Sequence, residues 1–228
     1  MKMRYILSFI FLVPFLVLGQ QDAVKVKKIK YTPEFKFKDG IFIDIDDVRK
    51  NSPIIKARII SDLDDNDYTF FEKLLSKDHF VVLDGMGLRK EIKSENIWGF
   101  SQKGVLFIYW NGEFNRIPVF GTISHFIADK TYIQNNNRYM NNYYYNPYDP
   151  YYPTGNQTTK TELRQYLLDM ETGEVLDYTY QNIEIILMRD PQLYEEFIKL
   201  KKKQRKKLKF LFLRKYDKKH PFYIHEEY

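Results

Sequence analysis

The amino-acid sequence predicts an α+β fold: a mainly antiparallel curved sheet or partial barrel, with short helices and a long C-terminal helix. Three observations carry this expectation. In 104–126, Val105, Phe107 and Tyr109 interleave with Leu106, Ile108 and Trp110, and Asn111-Gly112 is the strongest hairpin signal in the chain. Short segments with acidic or proline punctuation separate the apolar runs. Leu193, Phe197 and Leu200, then Leu208, Leu211 and Phe212, form a helical stripe behind Asp190-Pro191, an N-cap followed by proline at the first helical position.

The chain opens with Lys2 and Arg4 ahead of an apolar run, Tyr5 to Leu18, broken by Pro14. The run is short of the roughly 20 residues a spanning helix needs. Val17 and Gly19 place small residues before a cut at Gln20, so 1–19 reads as a signal peptide. The remaining 209 of 228 residues suffice for one sizeable core. The chain has no cysteine, which excludes disulfides, thiolate metal sites and cysteine nucleophiles. The charge is uneven. Lys2 and Arg4 give +2, eleven basic against three acidic side chains in 201–228 give +8, and a total of +6 therefore leaves the body at −4. A mildly acidic body with a basic tail argues against a nucleic-acid partner.

Residues 20–34 read as a linker ending in a first strand, and 35–228 as a single domain. Asp39-Gly40, flanked by Phe35, Phe37, Ile41 and Ile43, predicts a tight hairpin. DIDDVRKNSP predicts a short capped helix ended by Pro53. IIKARIISDL reads as a strand, DDNDYTFFEKLLSK as a second helix, and 79–100 as two strands about a Gly85/Gly87 turn. Strand 104–110 is apolar on both faces, so it should be central and covered on both sides. A second hairpin turns at Glu171-Thr172-Gly173, and QNIEIILMRD is a short helix. The last helix spans about 190–216. Its middle, KKKQRKK, has no apolar side chain, so the helix should leave the body there or bridge across it.

KFKDGIFIDIDDVRKNSPI, ENIWGFSQKGVLFIYWNGEFNRIPVFGTISHF, YLLDMETGEV and LKFLFLRKYDKKHPFY together resemble a family of exported proteins of Bacteroidota bacteria that carries no assigned activity. The resemblance covers most of the mature chain outside a tyrosine-rich stretch. It implies an exported address, periplasmic, associated with the outer envelope, or secreted. It implies no site residues.

Several motifs carry residue types found in chemical sites. Asp62, Asp64 and Asn66 start like a calcium loop, but Asp67 stands where glycine is required and Lys73 where a bidentate Glu is required, so the stretch reads as a capping turn. Ser124 and His125 are neighbours on a strand, where side chains alternate, so they cannot form a nucleophile–base pair. His220, His225, Glu226 and Glu227 offer metal-ligand types near a proline, and read as a polar terminus. The glycine turn at 84–87 lacks the lysine of a phosphate loop. No cofactor is expected.

Two features remain as recognition candidates. An insertion at 134–160 carries Tyr139, Tyr143, Tyr144, Tyr145, Tyr148, Tyr151 and Tyr152 among asparagines and prolines. It reads either as a tolerated insertion or as a recognition loop of the kind antibodies build from Tyr and Asn. Lys201, Lys202, Lys203, Arg205, Lys206 and Lys207 form a basic run suited to an anionic surface. The reading is an exported, non-enzymatic interaction or structural protein, whose partner is an envelope protein, a glycan or an anionic membrane surface. The alternatives are a hydrolase of an envelope polymer and a carrier of a small ligand or lipid.

Overall fold

The computed structural model describes residues 26–135 and 157–227. The expected signal peptide and all seven tyrosines of the insertion lie outside them. In chain order the elements are β1 (Val26–Lys30), β2 (Gly40–Phe42), α1 (Ile45–Lys50), β3 (Ile59–Ile60), α2 (Phe70–Leu75), β4 (His79–Leu83) and β5 (Arg89–Lys93). There follow β6 (Gly99–Gln102), β7 (Val105–Trp110), β8 (Glu113–Arg116), β9 (Ile123–Asn135), β10 (Gln157–Asp169) and β11 (Val175–Asp177). The chain continues through α3 (Tyr180–Leu187), α4 (Pro191–Ile198), α5 (Lys202–Lys219) and β12 (Tyr223–Glu227). Helices and antiparallel strands are mixed as expected. The strands form four sheets rather than one, ordered β1-β12, β11-β10-β9, β2-β6-β7-β8 and β3-β4-β5, and none closes into a barrel.

Local chemistry explains the turns. Asn111 and Gly112 both take positive φ, 55° and 86°, the geometry a two-residue hairpin needs between β7 and β8. Asp44 caps α1 by accepting from the Asp47 N–H at 2.9 Å, and Asn51 closes the helix in the left-handed region, ahead of Pro53. Asp190 accepts from the Leu193 N–H and Pro191 opens α4, as its spacing predicts. The β10–β11 turn is held from outside: the Arg49 Nε donates to Met170 O at 2.8 Å, and Arg189 pairs with buried Asp169 at 2.6 Å.

Three cores fill the space between the layers. Alternation along the β9–β10 ribbon serves two of them: Phe126, Ala128, Tyr166 and Leu168 enter one, while Ile123 and Leu167 enter the other. The second core is closed by α3, α4 and α5 through Ile183, Ile186, Phe197, Phe212 and Leu213. In the third, α2 lays Phe71 over Phe100, and Phe100 stacks on Phe107 at 4.7 Å. Strand β7 is central, as predicted. Leu106 and Ile108 are buried beneath it, but Phe107 and Tyr109 on its other face are only half-covered.

The first strand, β1, stands in the linker as expected and pairs with β12. Three expectations are corrected. Asp39-Gly40 makes no hairpin: β2 pairs with β6, and Gly40 is needed because a Cβ there would stand 2.5 Å from Ile54 O. The strand expected at 54–63 is a 3-10 turn, Lys56–Arg58, and only two strand residues. The insertion is shorter at both ends, since β9 runs to Asn135 and β10 begins at Gln157.

Asp217 joins α5 to the start of β9. Its Oδ1 accepts from the Ile123 N–H at 2.9 Å, and its carboxyl lies so close to Gly121 that a Cβ there would stand 2.9 Å away. Only 8% of the side chain is exposed, and Oδ2 has no hydrogen-bond partner. Burial pushes its pKa up to about 6, against weaker lowering by the Ile123 N–H and Arg214. A carboxyl raised from 3.8 favours the folded state when protonated, so its contribution is complete below pH 3.8 and is lost as pH rises through about 6. Asp217→Asn keeps the acceptor for Ile123. It should raise stability at pH 8 by roughly 1–3 kcal/mol and flatten the stability profile between pH 4 and 7. Urea melts at each pH would show it, and a variant no more stable at pH 8 would refute the assignment.

A candidate anionic-surface site on helix α5

The expected single helix is two. Helix α4 ends at Ile198, Lys201 is extended (φ −62°, ψ 149°), and Gln204 Oε1 accepts from the Lys201 N–H at 3.1 Å as α5 begins. The residues 201–207 have no apolar side chain with which to continue the stripe, so the chain turns there. The two helices then pack together, with the Phe197 and Phe212 rings 4.9 Å apart and Lys215 3.0 Å from Glu196.

Helix α5 buries Phe212, Leu213 and Tyr216. At 100° per residue, the opposite face carries Lys203, Lys207, Phe210, Leu211, Arg214 and Lys218. Phe210 is 43% and Leu211 51% exposed, so two apolar side chains stand in solvent amid four cations. Among the described residues, Lys202, Lys203, Lys206 and Lys207 form no ion pair.

On the flank of this face, Lys202, Lys206 and Lys209 border a groove of about 390 Å³ with Tyr178 and Tyr180. Lys209 Nζ lies 3.6 Å from the centre of the Tyr178 ring and donates to Tyr178 O at 2.8 Å. Burial lowers the pKa of Lys209. His125 packs edge-on to Tyr178 at 4.8 Å and beside Phe210 at 6.2 Å, and its Nε2 meets Gln165 Oε1 at 3.2 Å. The groove therefore offers ammonium donors above aromatic faces, a setting for phosphate or carboxylate groups.

One residue of the expected basic surface is reassigned. Arg205 points inward, pairs with Glu184 at 2.6 Å and lies over Tyr180, so it holds α5 to α3. Phe212 is in the core, as its place in the apolar stripe predicts. Arg214, Lys218 and Leu211 were missed as members of the surface, because only the helix phase set by the break at Lys201 brings them onto one face.

The remaining motifs take structural roles. Asp62 pairs with Lys77, and Asp64 accepts from the Asn66 N–H in a turn before α2. Ser124 is buried and exchanges hydrogen bonds with Gly121, on the face of β9 opposite His125. Asp84 accepts from the N–H groups of Met86 and Leu88 in the β4–β5 turn. Of the terminal cluster, His220 binds Asp190 at 2.7 Å while Glu226 accepts from Asn51 at 2.7 Å. Among the described residues no group of three or more His, Asp or Glu is placed to hold a metal ion. Comparison with family models, curated proteins and solved structures returns no match.

The aromatic cluster sets the charge of His125. Burial lowers its pKa below the usual 6.5, the Gln165 hydrogen bond opposes this, and Lys209 adds a smaller lowering. The imidazole is thus neutral at pH 7, and its contribution to stability is lost as pH falls below 6.5 through the folded value. An NMR titration should place His125 below 6.5, Lys209→Met should raise it, and Gln165→Leu should lower it further. A midpoint at or above 6.5 in the parent protein would contradict the packing.

Proposed function

We propose that this is an exported, non-enzymatic interaction protein that attaches through α5 to an anionic lipid surface of the envelope. The observation that carries the reading is the exposure of Phe210 and Leu211 among Lys203, Lys207, Arg214 and Lys218 on one helical face. Interfacial helices combine these two features: cations meet headgroup phosphates while apolar side chains enter the boundary of the acyl region. Each lysine near such a surface contributes about 1 kcal/mol. The exported address rests on the resemblance and on the signal-peptide pattern of 1–19. No helix among the described residues is long and apolar enough to cross a membrane, so α5 would lie on the surface.

The test is co-sedimentation of the protein with phosphatidylcholine vesicles, with and without phosphatidylglycerol. Binding should require the anionic lipid and fall steeply with added salt. Lys203→Glu with Lys207→Glu should weaken it by at least about tenfold. Phe210→Ser with Leu211→Ser should weaken the fraction that persists at high salt. Equal binding to neutral and anionic vesicles, or no change on charge reversal, would overturn the reading.

A further inference from the structure

A second concave site lies beside α2 at the edge of the third core, remote in sequence from α5. The register of β7 and β8 builds its wall. Phe107 and Tyr109 are two residues apart on one strand and so share a face, and Tyr109 is paired with Phe114 across the hairpin. Tyr109 and Phe114 have ring centres 5.0 Å apart, and Phe107 lies flat on buried Phe100. All three rings are half-buried and line a cleft of about 730 Å³. This volume falls within the roughly 300–1,000 Å³ of small-ligand sites.

The rim comes from different stretches of the chain. Glu72 stands on α2, Lys77 and Asp78 on the connection to β4, and His79 at the start of β4. Lys93 and Glu95 come from the end of β5, paired at 3.6 Å, and Glu113 from the β7–β8 hairpin. A rim with four carboxylates against two lysines, Lys77 and Lys93, disfavours a phosphorylated or acidic ligand. It is also too polar for a purely apolar one. A neutral polyhydroxylated ring fits both halves. Its hydroxyls donate to carboxylates and accept from Lys93, and the partly positive C–H groups of its apolar face meet the negative faces of aromatic rings.

We propose that this cleft binds a neutral oligosaccharide, with Phe107, Tyr109 and Phe114 as the stacking platform and Glu72, Glu95 and Glu113 as hydroxyl acceptors. The platform is preformed, because Phe100 and the β7–β8 register hold the rings in place without ligand. The cleft shares no residue with the α5 surface, so neither assignment depends on the other.

Isothermal titration of the full protein with cellotetraose, maltotetraose and chitotetraose tests the proposal. At least one should bind with a Kd below about 10 mM. Tyr109→Ala should weaken that binding by about tenfold or more, Tyr109→Phe should leave it within about threefold, and Glu113→Gln should weaken it. Thermal melts of each variant would separate loss of binding from loss of fold, and Glu113, exposed at a hairpin end, provides a variant that leaves packing untouched. No heat with any of the three sugars would overturn the proposal. So would binding that both Tyr109→Ala and Glu113→Gln leave unchanged, or a preference for a lysine-rich peptide over all three sugars.

Discussion

The pairing of β9 with β10 is the constraint on which the rest of the structure depends. Thirteen residues of each strand are in register, from Ile123 opposite Asp169 to Asn135 opposite Gln157. Because side chains alternate, one end of this ribbon must serve as a wall between two cores. A slip of one residue would send Phe126 and Tyr166 toward the helices and Leu167 toward the sheets. The helical layer depends on the same register. Ile123 and Leu167 form the floor on which α3 and α5 settle, and the backbone of Ile123 is the donor that reaches Asp217. Helix α5 is therefore positioned by the strand pairing, and its outward face follows from what its inward face must bury.

The features legible in the sequence were those whose cause is local. Asn111-Gly112 needs only its own backbone to turn, and Asp190-Pro191 needs only its neighbouring N–H groups to start a helix. Asp39-Gly40 has the same appearance but a different cause: its glycine admits the backbone of Ile54, fourteen residues away, which no dipeptide rule detects. The partner of the first strand was not legible, because β1 is completed only by β12, at the far end of the described chain. The α5 surface was half legible. A run of cations is visible in any sequence, but which of them face solvent depends on helix phase, and the phase was set by an unrecognised break at Lys201. The cleft beside β7 was not legible, since its rim gathers residues from 72 to 113 that carry no common motif.

The two proposed surfaces are chemically unlike, and that difference follows from the charge asymmetry of the chain. The acidic body supplies the carboxylate-rimmed aromatic cleft, and the basic tail supplies the lysine face of α5. Among the described residues, the ion pairs that join the tail to the body, Arg205 to Glu184, Lys215 to Glu196 and Lys219 to Asp190, leave much of the tail's excess charge outside. The excess positive charge is thus concentrated in the C-terminal stretch and the excess negative charge in the body.

The two-stranded sheet of β1 and β12 has a mechanical meaning. The strands are antiparallel, with Val26 opposite Glu227 and Lys30 opposite Tyr223, so residues 26 and 227 lie side by side at one end of the ribbon. A load drawn outward through these two residues would meet the ladder bonds one after another, as in a zipper, and not all together in shear. The first length released would be this ribbon alone. Asn51, which donates to Glu226 and accepts from the Lys38 N–H, stands next to the opening end as the first side chain to let go. The first core would feel the tension before the last pair, Lys30 and Tyr223, had parted, because Ile224 of β12 is buried in it.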